Sequence, residues 1–242
     1  MKAVAVTNVG NKRSMNQDYF FSSDEPVGIM QNLYIVADGM GGHNAGDYAS
    51  RFSVERFVEL VRESKERTEI SVIEAALRTT NEELIAKAKA QREYEGMGTT
   101  FVLATLESDG NLLIANIGDS RLYIVNDKIT QITQDHSLVA EMVRNGELKK
   151  EEARFHPQKN VVLRALSTRS VVNPDYYKIK VNRGDYVLLC SDGLWEMVEE
   201  GELLKLVSEY EDVKDIAEKM VYMANENGGM DNITLILLIS AF

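Results

Sequence analysis

Four short apolar runs follow one another between residues 99 and 133, and the linkers between them are too short for a crossover. Phe101–Leu106 is joined to Leu112–Ile117 through Ser108-Asp109-Gly110-Asn111, and Arg121–Val125 to Ile129–Ile132 across Asn126-Asp127. Parallel neighbours need a connection of roughly a dozen residues or more. The region is therefore expected to form an antiparallel meander, with Asp109-Gly110 supplying hairpin chemistry.

The rest of the chain alternates between the two periodicities. Ala3–Val6, Tyr19–Phe21, Leu33–Ala37, Tyr176–Val181 and Tyr186–Cys190 read as strands, the last two linked by Asn182-Arg183-Gly184-Asp185. Ile233–Ile239 is almost continuously apolar, as in a strand buried on both faces. Ala45, Ala49, Phe52, Phe57 or Val58 and Val61 recur at helical spacing, as do Ile73, Ala76, Leu77, Thr80 and Leu84. Further amphipathic helices are expected over 199–209 and 212–226, and short ones at Leu138–Asn145 and Lys149–Phe155. Helices thus arrive in pairs between antiparallel strands, which predicts an α+β fold rather than a βαβ one. No linker, composition shift or internal repeat divides the chain, so residues 1–242 are expected to form a single domain.

Composition excludes several functions. The 27 Lys and Arg stand against 38 Asp and Glu, a net charge of -11, the opposite of what a nucleic-acid binder needs. One cysteine excludes a disulfide framework and a Cys-rich metal site. The N-terminal apolar stretch is too short for a signal peptide and no run of 18 apolar residues occurs. The expected setting is cytoplasmic, without membrane insertion.

The acids that stand out do so by position. Asp38 ends Leu33–Ala37, Asp192 follows Val187–Ser191, and Asp231 precedes Ile233–Ile239. Each lies at the rim of a core strand, where side chains can converge. Converging carboxylates repel and are desolvated, and a multivalent cation removes that conflict. The alternative for each acid is turn chemistry, as at Asp109-Gly110. Three glycines within Gly39-Met40-Gly41-Gly42 exceed the needs of a turn and permit close backbone approach to a ligand. Oxygen donors favour Mg²⁺ or Mn²⁺, and such ions activate water for displacement at phosphorus. Arg13 has the chemistry to hold a phosphate. Neither a P-loop nor a dinucleotide motif is present. A Cys-x5-Arg site is excluded because the arginine position, counted from Cys190, is Glu196.

The motifs, in order, resemble those of the metal-dependent protein serine/threonine phosphatases of type 2C, in their compact bacterial form. They are Arg13 with Asn16-Gln17-Asp18, Val36 to His43, Gly98-Thr99-Thr100, Asn116 to Arg121, Asp135-His136-Ser137, Ser191-Asp192-Gly193-Leu194, and Gly229-Met230-Asp231-Asn232. The resemblance implies a four-layer αββα sandwich and hydrolysis of phosphoserine and phosphothreonine by in-line attack of a metal-bridging hydroxide. It implies two Mn²⁺ or Mg²⁺ ions per subunit, with a third, weaker ion. Asp38 would bridge two metals with the Gly39 carbonyl as a further ligand. Asp192 and Asp231 would complete the first site, Asp18 would serve the second through water, and Asp119 would join Asp192 at the third. Arg13 would hold the phosphate. Gln17 replaces a glutamate common in animal members, and Met40 replaces a histidine, which leaves His43 as the nearest candidate for the acid. Residues 144–170 correspond to the family's variable flap, made basic by Arg144, Lys149, Lys150, Arg154, Lys159, Arg164 and Arg169. The implied partners are phosphorylated proteins, including a bacterial serine/threonine kinase and its substrates, met by a monomer. The rival expectation is a non-catalytic phospho-binding protein on the same fold, which should have lost one of the metal aspartates.

Overall fold

The computed structural model describes residues 2–42, 45–107 and 109–240. Among the described residues the strands are β1 (Lys2–Asn8), β2 (Asp18–Ser23), β3 (Leu33–Met40), β4 (Gly98–Thr99), β5 (Phe101–Leu106), β6 (Asn111–Ile117), β7 (Arg121–Val125), β8 (Ile129–Gln131), β9 (Asp175–Lys180), β10 (Tyr186–Cys190) and β11 (Ile233–Ile239). The helices are α1 (Ala45–Glu63), α2 (Glu69–Ala90), α3 (Leu138–Arg144), α4 (Lys150–Ala153), α5 (Asp192–Trp195), α6 (Glu200–Glu209) and α7 (Val213–Glu226). The strands form two antiparallel sheets, ordered β1-β11-β10-β7-β8 and β2-β3-β5-β6-β9, with β4 beside β3.

Strand alternation decides the layering. In β3, Leu33, Ile35 and Ala37 point to one face and pack on Phe57, Val61, Ile73 and Leu77 of α1 and α2. Tyr34 and Val36 point to the other and meet Val187, Leu189, Ile236 and Leu238 of the facing sheet. The outer face of that sheet, with Leu188, Leu235 and Leu237, is covered by Leu203, Ile216 and Met220 of α6 and α7. Two sheets flanked by helix pairs result, the α+β sandwich expected. β11 lies between β1 and β10 and is buried on both faces, which is why its sequence shows no alternation. Asp212 caps α7 by accepting from the Lys214 and Asp215 amides.

Two expectations need correction. The 99–133 region is not a single meander: β5 and β6 pair in one sheet, whereas β7 and β8 belong to the other. Gly118, at φ +108°, turns the chain across the sandwich between β6 and β7. β7 can cross because Leu122 and Ile124 need cover on one face and Tyr123 and Val125 on the other. The short Asn182–Asp185 link likewise carries the chain from β9 in one sheet to β10 in the other. Second, the helix expected over Lys149–Phe155 shrinks to Lys150–Ala153. His156 precedes Pro157, and a residue before proline is pushed out of the helical region.

Phe57 is fully buried and packs against Phe101, ring centroids 5.1 Å apart. Phe57→Ala is expected to cost about 3–5 kcal/mol, lowering Tm by about 6–20 °C in a thermal melt.

Candidate metal and phosphate site

At one end of the sandwich the inward-facing positions change from aliphatic to polar in both sheets. Val36 is succeeded by Asp38, Phe20 is preceded by Asp18, and Val102 by Thr100; opposite them, Leu189 gives way to Ser191, Ile236 to Thr234 and Leu122 to Ser120. Hydrogen bonds replace aliphatic packing there. Thr100 Oγ1 accepts from the Asp38 amide at 2.8 Å and lies 2.7 Å from Ser120 Oγ across the sheets. Ser191 Oγ donates to Asp18 Oδ2 at 2.7 Å and accepts from the Thr234 amide.

Onto this floor the strands deliver the acids. Asp18 and Asp38 are directly opposed in the β2–β3 register, an arrangement that is unfavourable for like charges. Asp192 opens α5 where β10 ends, Asp231 lies just before β11, and Asp119 sits in the turn that crosses the sheets. Burial raises the Asp38 carboxyl well above the usual range, and Asp192, Asp18, Asp119 and Asp231 raise it further. Asp192 is raised in the same way, by burial and then by Asp119, Asp231 and Glu196. Burial lifts Asp18 to about 6, opposed by the Ser191 hydrogen bond. Burial and Asp135 lift Asp119 to about 7.

The residues fit divalent cations. The donors are all oxygen, Asp38 and Asp192 are surrounded by other acids, and Asp192 Oδ1 is buried with no hydrogen-bond partner, a costly state for a carboxylate. With the side chains as they stand, no three acids among the described residues close on one point. The nearest cation is Arg13, whose Nη2 donates to Asp231 Oδ2 at 2.6 Å. Asp231 raises the Arg13 pKa through this hydrogen bond. The Arg13 side chain is 51% exposed, within reach of an incoming anion.

The other expected site residues are placed as follows. Gly39 abuts Gly46 of α1: a Cβ on Gly39 would lie 2.1 Å from the Gly46 carbonyl oxygen, so only glycine allows this approach. The Gln17 backbone is held by Asn232, Gly39 and Ser50. His43 lies outside the described residues. Cys190 is fully buried and its thiol is pushed up to about 12 by burial, which suits packing and not nucleophilic attack. Glu196 pairs with Lys159 at 2.6 Å. The basic character of residues 144–170 is largely used internally: Arg144 donates to the Asp135 carbonyl, Arg154 pairs with Glu199 and the Trp195 carbonyl, and Arg164 pairs with Asp175.

Several supporting contacts could not be read from the sequence, although Arg121, Asp135 and His136 lie in the sequence motifs. Trp195 Nε1 donates to the Asp119 carbonyl at 3.1 Å. Arg121 stacks on the Trp195 ring, 3.5 Å from its centroid, and forks onto Asp135. His136 Nδ1 accepts from the Gly118 amide at 3.1 Å, and burial lowers its pKa. These contacts fix the Asp119 turn and α5. The motifs marked Arg121, Asp135 and His136 but not their partners, and Trp195 lay outside them.

The sequence and the fold both have known relatives. A family model described as protein phosphatase 2C matches residues 10–237. The Listeria innocua serine/threonine phosphatase stp is 39% identical over 98% of this chain and 95% of its own length. The structure of the S. agalactiae serine/threonine phosphatase superposes with a TM-score of 0.91 at 32% identity, covering 99% of both chains. The catalytic domain of the serine/threonine protein phosphatase PstP, solved in complex with two manganese ions, superposes with a TM-score of 0.85 at 30% identity, covering 98% of this chain and 96% of that one.

Carboxyls raised in the folded state favour folding while protonated, and that contribution is lost as pH rises through their folded pKa values. Metal-free protein is therefore expected to lose thermal stability between about pH 4 and pH 7, from the ordinary carboxylate range up to the raised values of Asp18 (about 6) and Asp119 (about 7). Mn²⁺ at a hundredfold excess over its Kd should restore about 2.7 kcal/mol, or roughly 5–10 °C. A metal-free Tm that climbs across this range would contradict the assignment.

Proposed function

The chain belongs to the protein phosphatase 2C family, and we propose that its acidic sandwich end, with Arg13, is where phosphoserine and phosphothreonine esters of proteins are hydrolysed. It is a metal-dependent protein serine/threonine phosphatase, and its substrates are phosphoproteins. The observation that carries the placement is the gathering of Asp38, Asp192, Asp18, Asp119 and Asp231 within one another's field, with a buried, unpartnered Asp192 oxygen and one guanidinium beside them.

In this reading Asp38, the Gly39 carbonyl, Asp192 and Asp231 would hold the principal divalent ions, with Asp18 in support, and Asp119 with Asp192 would hold a further one. Manganese or magnesium suits the set, and two manganese ions in the related PstP structure support the count of two. When bound, such ions supply an activated water and offset charge on the phosphoryl oxygens. The chain's own residues do the rest. Arg13 is anchored at the mouth of the site and offers a planar fork to the phosphate. The Ser191 and Thr100 hydroxyls hold Asp18 and the Asp38 backbone in place. Cys190 is buried with a raised pKa, so the phosphoryl group passes to water with no phosphocysteine. His43 is the sequence's candidate for protonating the departing alkoxide. We read a bacterial serine/threonine kinase and its targets as the phosphoproteins served; the bacterial origin of the relatives supports this, and comparing phosphoproteomes with and without the gene tests it.

On a phosphothreonine peptide, EDTA is expected to abolish turnover and Mn²⁺ to restore it. Asp38→Asn and Asp231→Asn should each lower kcat by at least about a hundredfold. Cys190→Ser should retain kcat within about threefold, and a trapped phosphocysteine would refute the mechanism. Arg13→Ala should raise KM by roughly tenfold or more, in line with loss of a charged hydrogen bond; an unchanged KM would remove Arg13 from the phosphate site.

A further inference from the structure

Arg13 belongs to the loop between β1 and β2, and one side chain holds that loop at both ends. Asn232 is buried, 4% exposed, and directly follows Asp231. Its Nδ2 donates to the Val9 carbonyl at 2.9 Å and to the Met15 carbonyl at 2.8 Å. Its Oδ1 accepts from the Gln17 amide at 2.8 Å, one residue before Asp18. Both donors and the acceptor of the amide are therefore engaged by the segment that flanks Arg13. The tip is tied to the segment leading to Asp231: the Asn11 and Lys12 amides donate to the Gly229 carbonyl at 2.8 and 3.2 Å, and Asn11 Nδ2 donates to the Asn225 carbonyl at the end of α7 at 2.7 Å.

An amide is the group this position requires. It must give two hydrogen bonds to carbonyls and take one from an N–H, which a carboxylate cannot do and a hydroxyl can do only in part. The arrangement ties the Arg13 backbone to Asp231 on one side and to the strand of Asp18 on the other. A long, half-exposed arginine on an untied loop would sample many positions. On this loop it starts from one, and fixing a binding group beforehand strengthens binding.

We propose that Asn232 is the positioning residue for Arg13, its amide holding the loop from which the guanidinium meets the substrate phosphate. The proposal rests on the reading of Arg13 as the phosphate contact. It is tested in the Mn²⁺-loaded enzyme on a phosphothreonine peptide, with wild type, Asn232→Ala, Arg13→Ala and the double variant. Asn232→Ala is expected to raise KM roughly tenfold with kcat within about twofold, and to weaken inhibition by inorganic phosphate to a similar extent. In the Arg13→Ala background the same substitution should cost less than about twofold, because interacting residues are not additive. Limited trypsin digestion should cut faster after Lys12 and Arg13 in Asn232→Ala. The proposal is overturned by an equal loss in both backgrounds, by unchanged cleavage, or by a shift in the Mn²⁺ titration midpoint as large as the shift in KM. Arg13→Ala with an unaltered KM removes the phosphate reading itself, and the proposal with it. Asn11→Ala, at an exposed position, is the second variant if Asn232→Ala does not fold. A smaller rise in KM that vanishes with Arg13→Ala supports the tether, and no rise or an additive one overturns it.

Discussion

Asp18 and Asp38 face each other across an antiparallel strand pair, in a field shared with Asp192, Asp119 and Asp231. No folded chain gathers unneutralised buried carboxylates without cost, because each loses hydration and repels the others. Much of the surrounding architecture answers that constraint. The inward positions near the acids carry hydroxyls where the rest of the interface carries Val, Leu and Ile. Ser191 gives Asp18 a hydrogen bond from the opposite sheet, and Arg13 covers Asp231. What is left uncompensated, above all the unpartnered Asp192 oxygen, is what a divalent cation is suited to satisfy.

The same constraint explains the frame around the acids. Asp119 and Asp192 come from separate parts of the chain, a turn between sheets and the first residue of a short helix. Trp195 joins them by donating to the Asp119 carbonyl from the helix that begins at Asp192. Arg121 packs on the indole and is neutralised by Asp135, so this buried cation is committed chiefly to the frame. The 144–170 segment docks on the same helix through Arg154 and Lys159. Its basic residues thus serve largely to attach it to an acidic body.

Much was legible in the sequence because it depends on local periodicity. The strands and paired helices follow from runs of period two and period 3.6, and the antiparallel sense follows from linkers too short for a crossover. Asp38, Asp192 and Asp231 could be singled out because each interrupts or borders a core strand. The helix at 150–153 is shorter than expected because the chain tightens into i→i−3 turns at Phe155 and His156 ahead of Pro157.

Tertiary structure decided the rest. A short linker excludes parallel pairing but does not say whether the next strand joins the same sheet or the facing one. That depends on which apolar faces remain uncovered once both sheets exist, and it is why β7 crosses and carries Asp119 to the site. The roles of Asn232, Ser191, Thr100 and Trp195 are hydrogen bonds between residues far apart in the chain. Thr100, Ser191 and Asn232 lie in the sequence motifs and Trp195 is the one tryptophan of the chain, but nothing local says what any of the four touches. The sequence by itself determined the chemistry available, an excess of carboxylates at strand ends with one arginine near the start. Only the packing of two sheets face to face decided that those groups share one field, because electrostatic coupling depends on distance through space and not along the chain.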